Sequence, residues 1–224
     1  MTKSVSHLPA AIFFDLDGTL LDSLPGITFS IEQAFHACGL PMRPIDLREA
    51  IGPPIRTILA LAATQATPSD LDRLERAFRT SYDSEGWQKT LPFPGSSLML
   101  REAHSLGIQL FVVSNKPRHI ALKILEREGS LPLFEKMLTR DSSDPPYAGK
   151  AQMIEHLLRA FQLHAARCIM VGDTTEDALA AAEMLVPFIW MAHGYGTIPP
   201  SLDVAFRIKS FPELLPVLTK ESAQ

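Results

Sequence analysis

Cysteine is scarce in this chain: Cys38 and Cys168 are the only two among 224 residues. They lack the short paired spacings of a zinc site and the density of a disulfide scaffold, so both are excluded, and reduced thiols in a cytoplasmic setting are expected. Basic charge is in short supply too. Lys and Arg number 21 against 25 Asp and Glu, a formal net charge of −4 with a pI near 6.0, which argues against nucleic acid or an anionic membrane as partner. Long apolar runs are missing: the most apolar region, residues 178–192, is broken by Glu183 and Pro187 and falls short of a membrane span. Residues 1–9 lack the apolar core of a secretion signal. No internal repeat or low-complexity tract is visible. What remains, 46% hydrophobic and 21% charged, suits a soluble globular protein of one or two domains.

The stretch Ile12-Phe13-Phe14-Asp15-Leu16-Asp17-Gly18-Thr19 organises the rest. Residues 12–14 read as a buried parallel strand, being apolar on both faces and too few for a helix. Such a strand ends at the carboxyl edge of an open α/β sheet, where these sheets place ligands. Asp15 then stands at the strand tip, Asp17 can point to the same side, and Gly18 supplies a turn. A calcium loop is excluded: counted from Asp15, the positions that need Gly and Glu hold Leu20 and Gly26. An Asp-rich turn is the plainer alternative.

Residues 20–25 read as a loop or hinge. Between Gly26 and Ser84 no strand is expected. Ile27, Ile31, Ala34, Phe35 and Cys38 recur at helical spacing until Gly39 and Pro41. A second helix is expected over 45–50 and a third from Pro54, carrying Ile55, Ile58, Leu59 and Ala62. A fourth, capped by Ser69, carries Leu71, Leu74, Ala77, Phe78 and Tyr82. From Gly95 onward strands (108–113, 136–139, 168–171, 187–191, 204–208) alternate with helices (97–105, 117–128, 150–161, 175–184). That alternation predicts a right-handed, mostly parallel sheet with helices on both faces. The fold class is therefore α/β with a Rossmann-like core, 1–22 and 92–224, and an inserted all-helical cap, 23–91.

Other strand ends carry polar residues. Val113 is followed by Ser114-Asn115-Lys116-Pro117, either an ordinary helix start or a place where a hydroxyl and helix-start amides meet an anion. Lys150 opens a helix, where a cation is disfavoured unless an anion lies near. Ile169-Met170-Val171-Gly172-Asp173 repeats the strand-then-Asp logic, and Asp177 follows within one helical turn. Asp15, Asp17, Asp173 and Asp177 would set four carboxylates against one lysine. Two like charges ~4 Å apart repel by about 4 kcal/mol at an effective dielectric of 20, so the cluster either takes up protons or holds a cation. Mg²⁺ suits one or two carboxylates, waters and a substrate phosphate.

These motifs resemble those of the haloacid dehalogenase-like phosphohydrolases, whose first motif is Asp-x-Asp-x-Thr, and the resemblance covers essentially the whole chain. It implies Asp15 as the nucleophile that becomes phosphorylated, Asp17 as general acid/base whose backbone carbonyl helps hold Mg²⁺, and Ser114 as a hydrogen-bond partner of the phosphoryl group. Lys150 would be the neutralising lysine, with Lys116 as rival; most family members have Lys-Pro where this chain has Gly149-Lys150-Ala151. Asp173 would ligate the metal directly, and Asp177 directly or through water. Asp at position 17 indicates phosphate rather than dehalogenase chemistry. His193-Gly194-Tyr195-Gly196 and Gly52-Pro53-Pro54-Ile55-Arg56 look most like the phosphoglycolate-phosphatase-like group. Thr19, Gly52, Arg56 and Asn115 are the candidate substrate contacts, Arg56 for a second anionic group or else a plain surface residue. His193 is expected to pack or hydrogen-bond rather than catalyse. The implied activity is Mg²⁺-dependent hydrolysis of a small phosphorylated metabolite through an aspartyl phosphate, in a monomer or homodimer. A phosphomutase of the same fold and a non-catalytic phosphate-binding module are the alternatives.

Overall fold

A computed structural model describes residues 8–51 and 54–219. The chain runs through β1 (Ala11–Phe14), β2 (Leu21–Asp22), α1 (Leu24–Cys38), α2 (Leu47–Ala50), α3 (Ile55–Ala62), α4 (Pro68–Ser84) and β3 (Leu91–Pro92). It continues through α5 (Ser96–Ser105), β4 (Gln109–Ser114), α6 (Arg118–Arg127), β5 (Lys136–Thr139), α7 (Lys150–Ala160), β6 (Cys168–Gly172), α8 (Thr175–Glu183), β7 (Phe188–Met191), β8 (Phe206–Ile208) and α9 (Leu214–Thr219). It divides into two compact units, Met1–Leu20 with Pro92–Gln224, and Leu21–Leu91. Among the described residues no helix is long and apolar enough to cross a membrane.

The larger unit is α/β. Six strands among the described residues form one sheet in the order β5-β4-β1-β6-β7-β8, and every pairing in it is parallel. Phe13, Phe111 and Val113 join Met153, Ile154 and Leu157 of α7 and Ala178 and Ala181 of α8 in one buried cluster. The alternate residues Ile12, Phe14, Leu110 and Val112 are equally buried. Side chains alternate faces along a strand, so both faces of the sheet are covered, which is why these strands read as continuous apolar runs. β1 lies between β4 and β6, with Phe14 opposite Val112 on one side and Val171 on the other. The chain fills one side of β1 and then the other, so the strand order reverses there. Asp15, Ser114 and Asp173 consequently leave neighbouring strands at the same edge.

The smaller unit is helical. The expected loop over 20–25 is in fact β2 followed by the start of α1, because Pro25 occupies a first-turn position where its missing N–H is no loss. α1 ends at Gly39, in the left-handed conformation. The cap of α4 is Thr67 rather than Ser69: Pro68 takes the first helical position, and Thr67 and Asp70 bond each other's backbone amides in a capping box. The helix expected over 45–50 is confined to α2, and the last strand to β8.

Candidate active site

Asp15 follows β1 and is tied back to the sheet, its amide donating to the Val171 carbonyl at 3.0 Å. Its carboxyl group is buried. Lys150, the first residue of α7, reaches it with Nζ 2.9 Å from Oδ1 and stands 2.6 Å from Asp177 Oδ1. The other oxygen of Asp177 serves the start of α8: Oδ2 accepts from the Thr174 amide at 3.0 Å and from Thr174 Oγ1 at 2.6 Å, while the Asp177 amide donates to Thr174 Oγ1. One side chain thus completes a capping box and fixes the lysine. That pairing also answers why a cation opens α7, since two carboxylates face it.

Asp173 is fully buried and held by donors on both oxygens. Thr19 Oγ1 donates to Oδ1 at 3.1 Å, and the amides of Tyr195 and Gly196 donate to Oδ2 at 2.8 and 3.3 Å. Glycine is required around it. A Cβ on Gly18, whose φ is +86°, or on Gly194 would collide with the Asp173 carboxylate. His193 has a structural role: its Nε2–H donates to the Thr19 carbonyl at 3.1 Å, and the ring packs 4.2 Å from that of Phe93.

The loop after β4 carries three polar residues with different fates. Ser114 is buried, and its Oγ accepts from the Lys116 amide at 3.3 Å. Lys116 Nζ lies 2.8 Å from Asp17 Oδ1. Asn115 is exposed and donates through Nδ2 to both carboxylate oxygens of Glu176, at 2.9 and 2.8 Å. The first amide of α6 is not left for an external anion: Arg118 N–H donates to both oxygens of Asp141, at 3.1 and 3.2 Å. Asp141, from the loop after β5, caps a helix whose own N-cap residue, Pro117, has no side chain able to do so. The Glu176, Asp141 and Tyr195 contacts depend on loops far apart in the chain and leave no local pattern to read. The Thr174-x-x-Asp177 spacing is a capping-box pattern that marks the start of α8.

Two residues of the helical unit were candidates. Gly52 lies outside the described residues. Arg56 is engaged inside its own unit, with Nη1 2.7 Å from Asp72 Oδ1 and 3.3 Å from Glu75 Oε2. Recruiting it to a substrate anion means breaking those contacts.

The crowding shows in the titration of the site. Burial is the main cause that pushes Asp15 up to about 8; Asp177, Asp173 and Asp17 add to it and Lys150 opposes it. Burial, then Asp177, pushes Asp173 up to about 6 against the Tyr195 amide, Lys150 and the Gly196 amide. Burial disfavours the Lys150 ammonium, but Asp15 and Asp177 outweigh it and hold its pKa above the ordinary value. With metal absent, the folded protein binds protons at Asp15 and Asp173 that the unfolded chain releases near pH 4. Their contribution to stability is therefore complete below about pH 4 and is lost as pH rises, through about 6 for Asp173 and about 8 for Asp15. Each titrating group costs ~1.4 kcal/mol per pH unit over its window. The melting temperature in chelator should fall between pH 5 and pH 8, and added divalent cation should raise it more at pH 8 than at pH 5. Parallel melting curves with and without cation across that range would contradict this.

One oxygen each from Asp15, Asp173 and Asp177 lies within 4.8 Å of the others. An all-carboxylate set of this kind suits a hard divalent cation rather than a thiophilic one. Charge agrees: four carboxylates less two lysines leave −2 among Asp15, Asp17, Asp173, Asp177, Lys116 and Lys150, the complement of one divalent ion.

Residues 12–191 match the family model described as haloacid dehalogenase-like hydrolase. Phosphoglycolate phosphatase of Agrobacterium fabrum is 32% identical over 94% of this chain and 92% of its own length. Tyrosine-protein kinase PtkA of Mycobacterium tuberculosis is 30% identical over 87% of this chain and 66% of its own. A haloacid dehalogenase-like family hydrolase from Streptococcus pneumoniae superimposes with a TM-score of 0.83 at 26% identity, over 93% of this chain and 98% of that one.

Proposed function

This chain belongs to the haloacid dehalogenase-like hydrolases, and from that premise we propose that it hydrolyses a small phosphomonoester of the phosphoglycolate kind through an aspartyl phosphate, with Mg²⁺ as cofactor. It is an enzyme, a phosphoric monoester hydrolase. The observation that carries the reading is the buried set Asp15, Asp173, Asp177 and Lys150 at the edge of the sheet. Asp15, Asp173 and Asp177 would hold the cation with the Asp17 carbonyl. Bound there, Mg²⁺ supplies charge that keeps carboxylates ionised and offsets the charge on the phosphoryl oxygens.

The chain's own groups do the rest. The Asp15 carboxylate attacks phosphorus and the P–O bond to the leaving alcohol breaks, while Asp17 gives that oxygen its proton. Water then attacks the aspartyl phosphate, its proton passes to Asp17, and phosphate leaves with the Asp15 carboxylate restored. Lys150 neutralises Asp15 and the transferring group, and the Ser114 hydroxyl orients the phosphoryl oxygens; phosphoryl transfer needs mainly such positioning and charge. Thr19 serves by fixing Asp173, and Asn115 by its bond to Glu176, rather than by a demonstrated substrate contact. Both cysteines are free, which accords with the cytoplasm.

The test is phosphate release from phosphoglycolate and a panel of small phosphate esters. Chelator, or Asp173→Asn with unchanged circular dichroism, should reduce turnover ~10²-fold or more, since a Lewis-acid ion is worth several kcal/mol of charge stabilisation. Full turnover in excess chelator, or release from no ester in the panel, would sink the reading.

A further inference from the structure

We propose that Lys116 is a positioning residue for Asp17: its buried ammonium fixes the carboxylate that must meet first the leaving oxygen and then the attacking water. The inference rests on the phosphatase reading and gives Lys116 a task separate from that of Lys150. Lys150 serves Asp15 and Asp177, whereas Lys116 Nζ stands 2.8 Å from Asp17 Oδ1.

Exposure separates the members of this pair. The Lys116 side chain is 2% exposed and that of Asp17 24%. Burying a flexible ammonium costs solvation and rotamer freedom, and only well-placed counter-charge offsets it. A surface ion pair would not require so buried a lysine. The backbone is prepared as well. Lys116 precedes Pro117, which disfavours the helical region at position 116, and its amide is tied to Ser114 Oγ at 3.3 Å. The hydroxyl assigned to the phosphoryl group and the ammonium assigned to Asp17 are thus set by one short loop at the end of β4.

Both aspartates follow the last residue of β1; the amide of Asp15 is tied back to the sheet at the Val171 carbonyl, and the carboxylate of Asp17, two residues farther on, is held by the Lys116 ammonium. Lys116 keeps all its protons in this role; Asp17 alone gives and takes one. A misplacement of about 1 Å in such a group can cost ~10²-fold in rate.

The experiment uses Lys116→Met and Lys116→Arg, each alone and combined with Asp17→Asn, in single turnovers of an alkyl phosphate and of p-nitrophenyl phosphate. Lys116→Met should slow the alkyl ester ~10²-fold and the nitrophenyl ester far less, because nitrophenolate leaves without a proton. KM should stay near wild type, Lys116→Arg should recover part of the rate, and Lys116→Met should add nothing to Asp17→Asn. Equal slowing of both esters with a raised KM, or losses that add in the double variant, would assign Lys116 to the phosphoryl group and overturn the proposal. So would a uniform loss that follows a lowered melting temperature. A second readout needs no turnover. The Lys116 ammonium protons, followed by nitrogen-15 NMR of the whole protein, should be protected from exchange and lose that protection in Asp17→Asn. Unchanged protection would refute the pairing outright. Loss of protection in a protein that hydrolyses no ester would count against the hydrolase reading and for the pairing.

Discussion

Asp15→Asn should lose turnover of every phosphate ester by ~10⁴-fold or more, the scale on which removal of a covalent nucleophile is felt. An amide cannot take over the attack on phosphorus, and no second carboxylate can replace it in the same geometry. Asp173 is fastened by Thr19, Tyr195 and Gly196, and Asp177 by Thr174 and Lys150. The variant should nevertheless fold. With its pKa pushed up to about 8, Asp15 is largely protonated in the metal-free protein at neutral pH, and asparagine is close to that neutral form in shape. Its melting temperature in chelator at pH 7 should match the wild type, and the decline toward pH 8 should flatten. Activity within tenfold of wild type would show that Asp15 is not the nucleophile. An inactive variant that melts far below the wild type would leave the charge argument wrong instead.

Asp17→Asn should fail in a different manner. It removes a proton donor, which matters most when the leaving group is a poorly acidic alcohol and least when it is a nitrophenol. General acid catalysis typically contributes about 10²- to 10⁴-fold. The first step should slow by about that much for an alkyl phosphate and far less for p-nitrophenyl phosphate. The second step lacks its base with either ester, so the aspartyl phosphate should persist. Rapid quench should show a burst of nitrophenol followed by slow turnover, and borohydride should convert residue 15 to homoserine in the trapped enzyme. Equal slowing of the first step for both esters, with nothing trapped, would remove Asp17 from the acid/base role.

The strands that carry this chemistry were legible because they are buried on both faces. Ile12, Phe13 and Phe14 leave no polar face to confuse, and Asp15 then marks the strand end. The same holds for β4 and β6, and the approach of Asp173 to Asp15 follows from the adjacency of β6 to β1, with Asp177 carried in by the first turn of α8. Where two local rules compete, the sequence alone misleads. Ser69 is a good cap in isolation, yet Pro68 before it already belongs to the helix, and Thr67 prevails. α9 escaped notice because it is six residues long with Pro216 inside it. The partner of Lys116 was out of reach for another reason. Whether a lysine at that strand end turns toward Asp17, toward Asp15 or to solvent depends on side-chain direction in three dimensions, which spacing does not encode. Arg56 was read by its neighbours in sequence, while the residues that bind it, Asp72 and Glu75, lie on another helix.

The glycines around Asp173 bear on how substitution data for such an enzyme would be read. Neither Gly18 nor Gly194 has a side chain to offer a substrate, yet a single methyl group at either position meets the Asp173 carboxylate. A saturation library scored by activity would rank both positions beside Asp15 as intolerant, and a tally of intolerant sites would enlarge the active centre beyond the groups that react. A second score, for abundance of folded protein, distinguishes the two kinds of intolerance. Asp15 variants should be inactive and abundant, whereas Gly18 and Gly194 variants should lose activity and abundance together, because the displaced Asp173 is also a buried hydrogen-bonded anchor of two other loops.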